Sequence, residues 1–315
     1  MLCRELKLRE MGVLGGQKLR KRFTTRMTQN LVMSTSEGIR SPHKAPVCCL
    51  DIDRTHNRFM LSSDLHGHIA MYDLRLARDV KTALDNTPNP HERGRGDCVG
   101  RVRVGKSAVR FCQWYPPDPG LFVSGGSDGQ VRIWDSNKDG KLKLIDNINL
   151  GYAITQCKIP GYGGETSSLV AIAGDSKVVR VLDMLSGTTT HRLAGHQDSV
   201  TTVSWSPNNP HHLTTGSSDC SIWTWDIRKN KVVTEFDQQE YASDVMMRDE
   251  LTQHLPNNRF KRARRRRNPR AHSGMVVSIK HSYKGSSLVS CGRDARVRLW
   301  ETRTGYNSMI HFEKT

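Results

Sequence analysis

Apolar and polar residues alternate with a period of two through most of the chain, in short runs broken by Gly, Pro, Asn and Asp. Stretches such as VRFCQW (109–114), VRIWD (131–135), VTTVSW (200–205) and VRLWE (297–301) each place one apolar face against one mixed face. That period is the signature of half-buried β-strands, and the Pro- and Gly-bearing gaps between them read as tight turns. Three segments repeat the same order of parts: VRFCQWYPPDPGLFVSGGSDGQVRIWDS (109–136), VTTVSWSPNNPHHLTTGSSDCSIWTWDIR (200–228) and VVSIKHSYKGSSLVSCGRDARVRLWET (276–302). Each has an alternating strand, a turn, a strand of small residues, an Asp turn, and a strand ending in Trp plus an acid. Weaker copies lie at 48–74 and 154–184.

The closing residue-plus-acid pairs are Tyr72-Asp73, Trp134-Asp135, Leu182-Asp183, Trp225-Asp226 and Trp300-Glu301, spaced 62, 48, 43 and 75 residues apart. Propeller blades recur at roughly 40–45 residues, so the two long intervals hold loop inserts at 78–98 and 238–271. Gly195-His196 is followed by 28 residues and then Trp225-Asp226, which is the WD-repeat signature. The expected fold is all-β: a WD-repeat propeller of four-stranded blades over residues 45–315, with blades at about 45–77, 99–140, 150–187, 191–237 and 272–310. Five blades are readable.

The spacing also predicts a buried polar chain. His196 lies in the loop before a strand, Thr215 in the second strand, Asp219 in the next turn and Trp225 in the third strand. A buried carboxylate needs donors, and an imidazole with backbone N–H groups can supply them. Ser124, Asp128 and Trp134 repeat the set without the His, and Ser290, Asp294 and Trp300 repeat it with His272 upstream. In the first copy His66 stands at the Asp position, and the third copy has lost the set. His196 and Asp219 resemble half of a catalytic triad, but the repetition favours a structural role.

Composition changes the picture in one respect. The chain has 315 residues and a formal charge of +17. Residues 1–26 carry eight basic and two acidic residues, and RFKRARRRRNPR (259–270) carries eight basic and no acidic ones, so the other 277 residues hold only +3. A body this neutral argues against a broad nucleic-acid-binding face. The run with Lys261, Arg262, Arg264, Arg265, Arg266 and Arg267 reads as a nuclear-import signal, or as a solvated loop without specific role. No apolar run approaches the ~20 residues of a membrane span, and no secretory signal is evident at the N-terminus. The eight cysteines form no C-x-x-C pair and are expected to be reduced core thiols rather than disulfides or zinc ligands. No metal site, cofactor or catalytic constellation is expected.

Near the N-terminus Leu2 and Leu6, then Leu19, Phe23 and Met27, recur at helical spacing around Gly12, Gly15 and Gly16. This predicts two short amphipathic helices over residues 1–30, marginal alone and suited to a partner's groove.

RFMLSSDLHGHIAMYDL (58–74), CQWYPPDPGLFVSGGSDGQVRIWD (112–135), LAGHQDSVTTVSWSPNNPHHLTTGSSDCSIWTWDIR (193–228) and HSGMVVSIKHSYKGSSLVSCGRDARVRLWETRTG (272–305) together resemble the WD-repeat substrate receptors of the Cockayne syndrome A (CSA) type. The resemblance implies a non-catalytic substrate-recognition subunit of a cullin-4 RING ubiquitin ligase, acting in transcription-coupled nucleotide-excision repair in the nucleus. It implies seven blades, so the chain reads as C-terminally shortened. Implied partners are the damaged-DNA-binding adaptor, the cullin-4 RING ligase, a repair ATPase and stalled RNA polymerase II. No small-molecule ligand, no membrane and no sequence-specific nucleic acid are implied. By the same resemblance Trp225, Asp226 and Arg228 (W-D-x-R), together with Leu6, Leu19 and Phe23, would contact the adaptor, and Tyr72-Asp73-Leu74-Arg75 is a weaker second copy. A competing expectation is a nuclear WD-repeat scaffold of RNA or ribosome assembly, whose basic insert touches RNA.

Overall fold

The computed structural model describes residues 41–53, 55–74, 98–136, 141–161, 168–241 and 270–312, with side chains up to 237 and 308 in the last two segments. These residues form twenty strands and, among themselves, no helix. Blade 1 comprises β1 Val47–Ile52, β2 Phe59–Asp64, β3 His68–Asp73 and β4 Cys98–Arg103. Blade 2 comprises β5 Val109–Trp114, β6 Leu121–Gly126, β7 Gln130–Ser136 and β8 Leu142–Asn149. Blade 3 follows with β9 Ile154–Lys158, β10 Leu169–Gly174, β11 Val178–Asp183 and β12 Thr188–Ala194. Blade 4 holds β13 Val200–Trp205, β14 His212–Ser217, β15 Ile222–Asp226 and β16 Lys231–Tyr241, and blade 5 holds β17 Val276–His281, β18 Ser287–Gly292, β19 Val297–Glu301 and β20 Tyr306–Phe312.

Within each blade successive strands pair antiparallel in chain order. The repeat in sequence and the sheet in space are offset by one strand. The segment before each loop His or its counterpart (β4, β8, β12, β16) is the outer strand of the preceding blade, not the first strand of the next. Blades 4 and 5 merge into one eight-stranded sheet because β16 pairs parallel with β20 at Asp237↔Tyr306 and Tyr241↔Asn307.

The core is not one mass but four, one in each seam between consecutive blades. Leu61, Ile69 and Met71 of blade 1 pack on Trp114, Phe122 and Trp134 of blade 2. Phe111 and Val123 meet Ile154, Val170 and Leu182 in the next seam. Ala171, Val179 and Val181 meet Val203, Leu213 and Trp225 in the third, and Ile222 and Phe236 meet Leu288 and Trp300 in the fourth. Burying one such aliphatic or aromatic side chain stabilises by about 1.5–3 kcal/mol. Period-two alternation supplies this arrangement directly, since each strand presents one residue set to each neighbouring blade.

Polar side chains also cross every seam. The Trp114 N–H donates to Asp51 Oδ2 (2.8 Å), the Ile159 N–H to Gln113 Oε1 (3.3 Å), the Val203 N–H to Gln156 Oε1 (2.8 Å) and the Ile279 N–H to Thr202 Oγ1 (3.3 Å). Each acceptor sits on an inner strand or beside it and satisfies a backbone donor of the next blade. A buried amide left without such a partner would cost about 1–3 kcal/mol. The five inner strands line a single cavity of about 230 Å³, so the blades are arranged radially about it.

Candidate functional site

The polar chain forms as its spacing predicts. In blade 4 the Trp225 indole N–H donates to Thr215 Oγ1 (2.8 Å), and Thr215 Oγ1 lies 2.8 Å from His196 Nε2. His196 Nδ1 lies 3.1 Å from Asp219 Oδ2, which also accepts the Gln197 backbone N–H at 2.8 Å. The network assigns the hydrogens: the carboxylate accepts from Nδ1–H, so Nε2 accepts from the Thr215 hydroxyl. His196 is sandwiched further by Trp223, stacked at 4.3 Å and 11°. Burial alone would push the Asp219 carboxyl up, but hydrogen bonds from His196 and Ser221 outweigh it and hold the group well below the usual carboxylate range.

This geometry answers the triad resemblance. The hydroxyl at the nucleophile position, Thr215, is fully buried and held between two partners, so no substrate reaches it. The chain is structural: it ties the loop before the inner strand to the second and third strands. Blade 5 repeats it, with His272 Nδ1 at 2.9 Å from Asp294, His272 Nε2 at 2.7 Å from Ser290 and the Trp300 indole donating to Ser290 at 2.7 Å. Arg298 adds a 2.7 Å ion pair to Asp294. In blade 2 Trp134 donates to Ser124 (2.8 Å), and Arg132 rather than a His pairs with Asp128 (2.6 Å).

Blade 1 departs from the sequence reading. His66 does occupy the position of the turn Asp, yet the set is not lost. Asp64, two residues earlier, takes the carboxylate role: it lies 2.8 Å from Nδ1 of His43, whose Nε2 meets Ser62, which in turn contacts Tyr72 at 3.2 Å. His43 lies 21 residues from its partner, and the shift of the acid by two positions hid the pairing. In blade 3 Ile172 and Leu182 stand where the hydroxyl and the indole would be, so nothing polar needs satisfying there.

At the other end of β15 the W-D-x-R side chains separate into a buried and an exposed part. Trp225 and Asp226 are buried. Arg228 is 56% exposed and donates to its own strand-end acid, Nε to Asp226 Oδ1 at 3.2 Å and NH2 to Oδ2 at 3.1 Å, while its backbone N–H also donates to Oδ1. The Arg228 hydrogen bond is the main reason the Asp226 carboxyl sits below its ordinary range. The guanidinium fork is thus fixed in direction by a bidentate contact, with part of its donor edge turned to solvent. Five strand residues separate this rim from the Asp219 turn, so Arg228 lies at the opposite end of the blade from the His196–Asp219 pair. Blade 1 holds a counterpart built from a different residue: Arg58 Nε and NH2 donate to Asp73 Oδ2 at 2.9 and 2.7 Å. Sequence inspection missed Arg58 because it precedes β2 and lies 15 residues from its acid. Leu6, Leu19, Phe23, Arg75 and the run Lys261–Arg267 lie outside the described residues. Among the described residues no group of three His, Cys, Asp or Glu side chains is placed to hold a metal.

Comparison with known proteins agrees with this architecture. The model described as "WD domain, G-beta repeat" matches residues 96–135, 187–226 and 264–301, each match closing on the residue-plus-acid pair, and the first two opening at an outer strand. The Arabidopsis thaliana protein named WD repeat-containing protein ATCSA-1 is 26% identical over 98% of this chain and 77% of its own length. Radiation-sensitive protein 28 of Saccharomyces cerevisiae is 25% identical over 66% of this chain, which spans only 40% of that protein. A ribosome biogenesis protein, the WDR12 homolog of Dictyostelium discoideum, is 29% identical over 40% of the chain and 26% of its own length. The chain is a WD-repeat β-propeller protein, similar over nearly all of its length to ATCSA-1.

Proposed function

We propose that this protein is the substrate-recognition subunit of a cullin-4 RING ubiquitin ligase acting in transcription-coupled nucleotide-excision repair in the nucleus. The observation that carries the reading is the pinned, half-exposed Arg228 at the strand-end rim, in a chain similar over 98% of its residues to ATCSA-1. A guanidinium already oriented by a buried carboxylate loses little freedom on docking and can present its remaining donors to a partner's carbonyls or carboxylates. The propeller would contribute no covalent chemistry. It would hold a repair ATPase or a stalled polymerase near a ubiquitin-charged enzyme, so that rate is gained by proximity.

Affinity purification of the tagged full chain from cells, with mass spectrometry, tests this. Recovery of the damaged-DNA-binding adaptor and a cullin with the wild type, and their loss with Arg228→Ala combined with deletion of residues 1–26, is expected. Undiminished recovery with that variant sinks the interface assignment. A second reading, a scaffold of RNA or ribosome assembly, draws on the ribosome-biogenesis relative and the run 259–270. It predicts RNA recovered by crosslinking at physiological salt and lost when that run is neutralised.

A further inference from the structure

The cavity bordered by the five inner strands is lined by Cys48 and Cys49 of β1, Cys112 of β5 and Cys157 of β9, with the cations Arg110 and Lys158 among the other lining residues. Cys112 and Cys157 are buried, whereas Cys48 and Cys49 are partly exposed. Cys49 and Cys112 are 63 positions apart in the chain, yet they meet across the seam of blades 1 and 2. The Cys49 thiol donates to the Cys112 carbonyl oxygen at 3.4 Å, which brings the two cysteines together at the cavity wall. The inner strand of blade 1 has a register shift between Val47 and Cys49, the kind of bulge that re-aims a side chain. Of the cysteines expected to be reduced core thiols, a partly exposed one here contacts the backbone of a buried one at a cavity wall.

We propose that Cys49 is a peroxide-oxidisable thiol that condenses with Cys112 into a disulfide joining β1 to β5. The Cys49 thiolate attacks one peroxide oxygen. The O–O bond breaks, hydroxide leaves and is protonated to water, and Cys49 becomes a sulfenic acid while the peroxide is reduced by two electrons. The Cys112 sulfur then attacks the Cys49 sulfur. The S–O bond breaks, the S–S bond forms, and the departing hydroxide takes the Cys112 proton as a second water.

The surroundings favour this division of roles. Hydrogen bonding from the Cys112 thiol, then from its backbone, together with Lys158, holds Cys49 down to about 6 against burial and Asp51. Cys112 is pushed up by the neighbouring Cys49 thiol and by burial, which keeps it protonated, so that Cys49 and not Cys112 meets peroxide first. Burial raises Cys48, beside Arg110, and pushes Cys157 well above the ordinary thiol range. Cys48 is therefore an adjacent control of similar exposure with the opposite tendency.

The test uses the reduced full chain and hydrogen peroxide, with peptide mapping under non-reducing conditions. At pH 7, before oxidation, iodoacetamide should alkylate Cys49 at least about tenfold faster than Cys48. After peroxide the wild type should yield a peptide linked through Cys49 and Cys112, two hydrogens lighter than the sum of its thiols. In Cys112→Ser the sulfenic acid should instead be trapped at Cys49 by dimedone. Should that variant fail to fold, the wild-type map alone decides. Equal alkylation of Cys48 and Cys49, a disulfide through Cys48 or Cys157, or Cys49 oxidation in the wild type with no link to Cys112 would each overturn the proposal.

Discussion

Blades 4 and 5 are built from the same parts and differ in what surrounds them. Both carry the His–hydroxyl–Asp–Trp chain with closely matching distances, from His196 to Trp225 in one and His272 to Trp300 in the other. Yet β14 is buried through five of its six residues, whereas the aligned β18 alternates, with Val289 exposed where blade 4 has the fully buried Thr214. On the inner strands, β13 buries residues to both sides, while β17 leaves Val277, Ser278 and Lys280 exposed. Blade 4 is packed on both faces; the far face of blade 5 is not covered by the described residues. Blade 1 shows the mirrored case, with Leu50 and Ile52 exposed on β1. The polar chain is thus a local device that closes on short-range spacing, and burial of the rest is conferred by the neighbouring blade.

The largest effect should come from placing a charge at the two aligned positions. Thr214→Lys puts an ammonium into a closed seam against His281 and should cost 4 kcal/mol or more, about enough to abolish cooperative folding. Val289→Lys should stay within about 0.5 kcal/mol. Urea unfolding midpoints decide, and an equal loss in both would mean that the far face of blade 5 is covered. Next, Asp294→Ala removes the carboxylate that faces the buried Arg298 guanidinium and should cost about 3–5 kcal/mol. Asp219→Ala removes the acceptor shared by His196, Ser221 and the Gln197 backbone N–H, with no Arg beside it, and should cost about 1–3 kcal/mol. The reverse order would break the claim that the same chain carries a buried cation in one blade and not in the other.

The seam between these blades also predicts a pH dependence. His281 reaches Ser204 at 3.0 Å and Thr214 at 3.3 Å across it, and burial brings its pKa down to about 4. The unfolded chain takes up this proton first, near pH 6.5, while the folded state resists until about 4. Stability is therefore full above pH 6.5 and declines as pH falls toward 4, by about 2–3 kcal/mol over the window. His281→Asn should flatten that slope in unfolding measured from pH 7 to 4. Asp219 and Asp294, both held low, act in a lower window: their contribution is present above about pH 4, the unfolded value, and is lost as pH falls further. The smallest effect concerns the Asp turns. Gly67 and Gly129 take φ of +82° and +74° in blades 1 and 2, but blades 4 and 5 place Cys220 and Ala295 there, at 71° and 57°. Left-handed backbone costs a residue with a Cβ about 1–2 kcal/mol, partly offset by the entropy glycine adds to the unfolded chain. Ala295→Gly and Cys220→Gly should each stabilise by about 0.5 kcal/mol, read as a small rise in Tm.

By itself the amino-acid order determined the strands, the repeat and the polar chains of blades 2, 4 and 5, because alternation and the hydroxyl-to-Asp-to-Trp spacing act within some ten residues of one hairpin. It also marked Arg228 as the residue following a buried Trp-Asp pair. Only the tertiary structure decided which sheet each fourth strand joins, since that strand pairs with the hairpin before it and packs independently of the repeat boundary. The same holds for the bond between His43 and Asp64, for the seam acceptors Asp51, Gln113, Gln156 and Thr202, and for the meeting of Cys49 with Cys112. The seam contacts join residues 46 to 77 positions apart, where no local period links them and only the radial packing of one sheet on the next brings donor to acceptor, whereas His43 meets Asp64 within blade 1, where the acid stands two positions before its place in the other blades.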